Sequence, residues 1–216
     1  MRRVGSVAVL AFFIAACAPT IQERVQEFNE DGARLFEKGE FAHAREEFQA
    51  ALMLRPTNPD LLYNLGQCSE KLGQTARAEQ EYRECLYSDP NHAKCRHALS
   101  VLLVNTSRLV EAQQMAQEWL TREPRLSAAY EEDGWLYKQD GDPIKALKRY
   151  QQALDLDARN TRALIEMGAI YEERGYPERA LLLYETVLDY DKSQPEVIRR
   201  VNVLRARGVG RPRPDS

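Results

Sequence analysis

The sequence predicts an all-α solenoid of five helix–turn–helix repeats followed by a C-terminal capping helix. Three observations predict it. Small residues, turn glycines and aromatics recur every 34 positions along most of the 216-residue chain. A content of 44% apolar and 29% charged residues, with mean hydropathy −0.56, supplies a core and excludes a multispanning membrane protein. The charge balance, 30 basic against 33 acidic side chains, argues against a nucleic-acid binder, and four Cys are too few for a disulfide-dense scaffold.

The chain opens on a segment outside the repeat. Arg2 and Arg3 precede Val4 to Ala16, a run without charge. As a helix that run rises about 20 Å, short of the roughly 30 Å hydrocarbon core of a bilayer. A charged start, a short apolar stretch and small residues before a cut form the anatomy of a secretory signal, here residues 1–16. Ile14-Ala15-Ala16-Cys17 resembles the bacterial lipobox, which implies that Cys17 is diacylated and becomes the first mature residue. Ala18 follows where an Asp would favour inner-membrane retention in enteric bacteria, so the resemblance implies a periplasm-facing outer-membrane address. Residues 17–24 are then a tether. The seven residues after Cys17 reach about 25 Å when extended, which keeps the first repeat near the bilayer.

Five columns then run in register through residues 25–194. One is Gly32, Gly66, Ser100, Gly134 and Gly168; a second is Gly39, Gly73, Ser107, Gly141 and Gly175. The third is Ala44, Ala78, Ala112, Ala146 and Ala180, followed four residues on by Phe48, Tyr82, Ala116, Tyr150 and Tyr184. Pro56, Pro90 and Pro124 close the first three units. Each column has a physical cause. The first small residue and the Ala let two antiparallel helices approach, and the aromatic one turn beyond the Ala fills the space between them. The second Gly supplies the left-handed conformation that ends a helix, and Pro stops the next one. The pattern Leu62-x2-Leu65-Gly66-x2-Ser69, then Ala78-x3-Tyr82 and Pro90, resembles the tetratricopeptide (TPR) consensus, as do Tyr130 to Tyr150 and Leu164 to Tyr184. That resemblance implies a right-handed superhelix, since no unit buries its apolar face alone.

Repeat three departs most. Arg96 stands where its neighbours have Leu62 and Tyr130, Ala116 replaces the aromatic, and Asn105-Thr106-Ser107 occupies the turn. It is expected to be the least stable unit or a change of curvature. Repeats four and five lose the closing Pro to Ala158 and Lys192. Pro195 opens the capping helix, 195–207, or a truncated sixth repeat, with Val197, Ile198, Val201 and Leu204 at helical spacing. Residues 208–216 (GVGRPRPDS) are expected to be a disordered basic tail.

In TPR proteins the first helices line a concave face that binds partners. Columns three and seven residues apart place Phe36, Tyr63, Lys94, His97, Val101, Val104, Trp135, Lys138 and Ile165 on it. Trp135 stands out, because the fold does not need a Trp at that column and Trp carries a large share of interface energy. Packing against a neighbouring repeat is the competing reading. Trp119 falls on a core column. The carboxylate clamp of chaperone-binding TPRs is absent: Asn64 and Lys94 match, but Asn29, Ala33 and Ala98 replace its other members.

Little else carries chemistry. Cys85 and Cys95 fall on adjacent helices and are a possible disulfide in an oxidising compartment; with Cys68, three packed thiols are the alternative. His92 and His97 beside these cysteines repeat no ligand pattern, so no metal and no cofactor are expected. Glu131-Glu132-Asp133 and Glu172-Glu173 read as solvated faces. No phosphate loop or nucleophile elbow appears, and no enzyme is expected. The expected partner is another protein, with the membrane held through lipid on Cys17 and no nucleic acid bound. A lipobox and TPR units together resemble the pilotins of type IV pili, which bring a secretin to the outer membrane, although that family typically has six repeats. Adaptors for periplasmic proteases or peptidoglycan hydrolases, and subunits of the β-barrel assembly machinery, are the alternatives.

Overall fold

The computed structural model describes residues 19–210, and the described chain is eleven helices with no strand. Helices α1 (Ile21–Glu37) and α2 (Phe41–Leu54) form the first repeat, α3 (Pro59–Lys71) and α4 (Thr75–Ser88) the second. The third is α5 (Ala93–Asn105) and α6 (Leu109–Arg122), the fourth α7 (Ser127–Gln139) and α8 (Pro143–Leu156), the fifth α9 (Thr161–Glu173) and α10 (Pro177–Tyr190). Helix α11 (Pro195–Ala206) covers the apolar face of the last repeat through Val197, Val201 and Leu204, while Ile198 points outward. None of these helices is long and apolar enough to cross a membrane. The signal segment, Cys17 and the last six residues lie outside the described residues.

Two boundaries differ from the sequence reading. The first helix starts at Ile21, not Val25, because Thr20 and Glu23 form a reciprocal capping box: Thr20 Oγ1 accepts from the Glu23 amide at 3.2 Å, and Glu23 accepts from the Thr20 amide at 2.7 Å. Residues 21–24 are therefore helix rather than tether. At the other end Val209, assigned to the tail, packs on the cluster shared by the fifth repeat and α11.

Inside each regular repeat the glycine of the first helix lies flat against the aromatic ring of the second. A Cβ at Gly32 would stand 2.7 Å from the Phe48 ring, and one at Gly134 would stand 2.9 Å from the Tyr150 ring. Turn glycines Gly39, Gly73, Gly141 and Gly175 have φ between 72° and 80°. Ser107, their counterpart in repeat three, holds φ 61°, a conformation costing a non-glycine residue about 1–2 kcal/mol. The repeats that lack Pro still end, because Asp157 and Asp191 accept from the amides of Arg159 and Ser193, each at 2.9 Å.

Repeat three is built differently. Ser100 and Ala116 replace the glycine–ring pair together: a side chain appears on one helix as the ring vanishes from the other, and α5 and α6 touch along less of their length than other paired helices. Arg96 takes up the interface instead. It is 4% exposed, stacks 4.4 Å from the Trp119 ring, and donates to the carbonyls of Pro90 (2.7 Å) and Met115 (3.3 Å). Burial, then the like charge of Arg122, pulls its pKa down to about 10. Trp119 is core, as its column requires, and donates its indole N–H to Asn91 at 2.9 Å.

Candidate partner-binding groove

The inner surface is made by α1, α3, α5, α7 and α9, and its character changes along the array. At the first two repeats it is open: Asp60 and Glu70 are exposed, as is Lys94 at the start of α5. Towards the C-terminus α5, α7 and α9 crowd together, so that the Arg162 guanidinium reaches His97, 65 residues earlier in the chain, at 2.7 Å from Nδ1 and 2.9 Å from Nε2. His97 Nδ1 is also 3.0 Å from Glu132 Oε2. Arg162 closes the cluster by pairing with Glu131 at 2.9 Å.

The carboxylates here are not solvated. Glu132 is 2% exposed and Asp133 4%, while Glu131 is half-buried. The three consecutive side chains diverge: Glu131 towards Arg162, Glu132 towards His97, and Asp133 towards Arg149, at 2.6 Å. Burial raises the pKa of Glu131 despite Arg162, and that of Asp133 despite Arg149. Of the second pair, Glu172 is half-buried against Tyr184 and Arg200, and only Glu173 is exposed. Spacing along the chain carried no sign of this, because each carboxylate is buried against a different neighbouring helix: Glu131 against α9, Glu132 against α5, Asp133 against α8, and Glu172 against α10 and α11.

Trp135 lies at the centre of the groove and is half-buried. One side packs against the clusters of repeats three and four, and His97 meets it edge-on with centroids 4.7 Å apart. Its indole N–H has no partner among the described residues, so the ring is fixed while a donor stays free. Val101 and Val104 on α5 and Ile165 on α9 are half-buried beside it. Lys138, one turn on from Trp135, is tied to Glu166 at 2.8 Å. Tyr63 is held by its neighbours, accepting from Gln67 at 2.8 Å with its ring 6.1 Å from Tyr82. Phe36 packs edge-on against Phe41 at 5.1 Å and belongs to the first repeat's own core. The central part of the groove is thus apolar with fixed charges at its floor, which suits recognition of a polypeptide.

Cys85 and Cys95 are joined in a disulfide that links α4 to α5, Cα atoms 6.5 Å apart. His92 brings a ring nitrogen near both sulfurs, but Nδ1 caps α5 by accepting from the Cys95 amide at 3.2 Å and Nε2 faces Asp60 at 3.1 Å. Cys68 is buried as a thiol, its pKa pushed up to about 11 by burial. It lies near a buried network that sequence reasoning missed: Arg45 on α2 pairs with Glu81 on α4 at 2.5 Å, and Ser69 on α3 bridges them at 2.6 and 2.7 Å. An Arg beside Ala44 and a Glu beside Tyr82 were its only traces in the sequence.

A stack of helix pairs with an inner groove is a helical-repeat interaction scaffold. The chain belongs to the tetratricopeptide repeat family, whose model matches residues 35–91 and 137–199, more than half of the sequence. The gap between the matches contains α5 and α6, the divergent repeat. A search of curated proteins finds no match. Among solved structures, TTC0263, a thermophilic TPR protein of Thermus thermophilus, is 21% identical with TM-score 0.67, covering 84% of this chain and 99% of its own. Pseudomonas aeruginosa pilF is also 21% identical, with TM-score 0.58 and 88% of each chain covered. A TPR protein of Parabacteroides merdae is 19% identical, TM-score 0.52, with 84% and 72% covered. These likenesses establish the fold.

Proposed function

We propose that this TPR scaffold is a lipid-anchored, periplasm-facing outer-membrane protein that holds a polypeptide in its inner groove during assembly of an envelope complex, with the type IV pilus secretin as the partner. The observation that carries partner recognition is Trp135, whose ring is fixed by packing and whose indole N–H is free. The address rests on the basic start, the apolar run and the lipobox-like Ile14 to Cys17. The capping box at Thr20 supports a close anchor, since only Ala18, Pro19 and Thr20 separate Cys17 from α1, about 10 Å when extended. The pilus assignment rests on the combination of lipobox and TPR array.

The test is photocrosslinking in cells from a reactive residue at position 135, with the adduct identified by mass spectrometry. A secretin adduct is the expected result, together with loss of secretin multimers on deletion of the gene. A protease or cell-wall hydrolase at that position would replace the pilus reading with the adaptor reading, and no adduct at all would overturn the groove. The anchor is tested separately: Cys17→Ser should move the processed protein to the soluble fraction, and continued membrane association would sink the lipid assignment.

A further inference from the structure

A second concave site lies away from the groove. Helices α4 and α6 leave between them a cleft of about 540 Å³, floored by α5. Leu86, Tyr87, Leu99 and Met115 give it apolar walls, and Tyr87 at the rim is 91% exposed. Its charges are Arg83, Arg96, Glu118 and Arg122. Arg83 is already met by Glu79 at 2.8 Å and Glu111 at 2.6 Å. Among the described residues neither Arg96 nor Arg122 forms an ion pair, although Glu132 and Glu118 lie near enough to act on the Arg96 charge, and Arg96 Nε is buried with no acceptor. Arg96 is held by two carbonyls and the face of Trp119 but by no ion pair, and a buried cation so placed is costly unless an anion is recruited to it.

We propose that this outer cleft binds an extended polypeptide segment through an acidic side chain flanked by apolar residues. The carboxylate sits between the Arg96 and Arg122 guanidiniums, where charge-assisted hydrogen bonds are strongest, and the flanking residues lie on Tyr87 and Met115. Glu118 on the same wall rejects a second acid and sets the register. The cleft falls within the size range of specific ligand sites. It also gives a reason for the departures of repeat three: Arg96 brings the charge, and Ala116 removes the ring that would otherwise fill the interface. The site does not depend on the groove, and its failure would leave the Trp135 crosslinking test untouched.

The probes are amide-capped Leu-Glu-Leu and Leu-Gln-Leu, Leu-Leu-Leu with a free carboxyl end, and inorganic phosphate. Each is titrated into the intact protein carrying 13C-methyl methionine and followed by NMR. Met115 lines the cleft; Met53 is exposed elsewhere and Met167 is buried, so both serve as controls. The expected result is a saturable Met115 shift with Leu-Glu-Leu at millimolar concentrations, about tenfold weaker for the Gln peptide and about tenfold weaker again in Arg122→Gln, an exposed position whose loss leaves the fold intact. A still Met115 signal, equal binding of the Glu and Gln peptides, or binding of only the free-carboxyl peptide or of phosphate would each overturn the proposal.

Discussion

Single residues decide how close the paired helices come. Gly66 and Gly73 both recur as glycine columns, yet for unrelated reasons. Gly66 leaves no space for a Cβ against Tyr82, whereas Gly73 has open space around it and needs only its φ of 72°. Gly66→Ala should therefore cost about 1–3 kcal/mol through forced displacement of a buried ring. Gly73→Asn should cost only a few tenths, since Asn tolerates the left-handed region. Urea midpoints of the two variants check this, and equal values would mean the ring does not fix the helix spacing. Both positions were legible from the 34-residue columns. The charges of the groove were not: Glu131, Glu132 and Asp133 look like a solvated run because sequence spacing describes one helix at a time. Their burial comes from three different helices, α9 at Glu131, α5 at Glu132 and α8 at Asp133, and no pattern within α7 encodes those neighbours.

Repeats two and three are joined by two devices, one covalent and one electrostatic. The Cys85–Cys95 disulfide staples α4 to α5 across a short loop, so in the chain-entropy view it should contribute about 2–3 kcal/mol. The Cys85→Ser, Cys95→Ser double variant should lose that amount, and denatured wild type lacking residues 1–17 should titrate one thiol before reduction, that of Cys68, and three after it. Three thiols without reductant would remove the staple. On the outer face Arg83 and Arg108 share Glu79 and Glu111, with contacts of 2.6–2.8 Å across α4 and α6. Hydrogen bonds from Arg108 hold Glu79 below the ordinary carboxylate range, and those from Arg83 do the same for Glu111. Groups with depressed folded pKa values stabilise above the unfolded value, about 4.3, and that stability is lost as pH falls through the folded values. Wild type should thus lose more stability than Arg108→Ala between neutral pH and about pH 3. Parallel loss in both proteins would show that this network does not couple the repeats. The cysteine pair could be placed on neighbouring helices from the sequence, but pairing Arg83 with Glu111 required knowing that α4 and α6 lie side by side.

For the whole molecule, stability in such an array is a sum of repeat terms and nearest-neighbour interfaces, so the weakest unit controls where it opens. Repeat three is expected to be that unit, on independent grounds. Its two helices share little contact surface, its turn holds Ser107 in the left-handed region, and its interface is built around the buried charge of Arg96 rather than a ring on a glycine. The disulfide and the shared carboxylates tie its N-terminal side to repeat two, and Trp135 packs on its cluster from the C-terminal side. Opening should therefore be local to α6 and the end of α5, with the flanking repeats kept folded, and would expose both the groove wall and the outer cleft. Native-state hydrogen exchange reads this directly, because amides report opening free energies region by region. Amides of α6 should exchange with a lower opening free energy than those of α4 or α8, and reduction of Cys85–Cys95 should lower protection in α5 more than in α9. Uniform protection across α4, α6 and α8 would mean that Arg96 and Trp119 restore what the missing glycine–ring pair gives the other repeats, and that the array opens only as a whole.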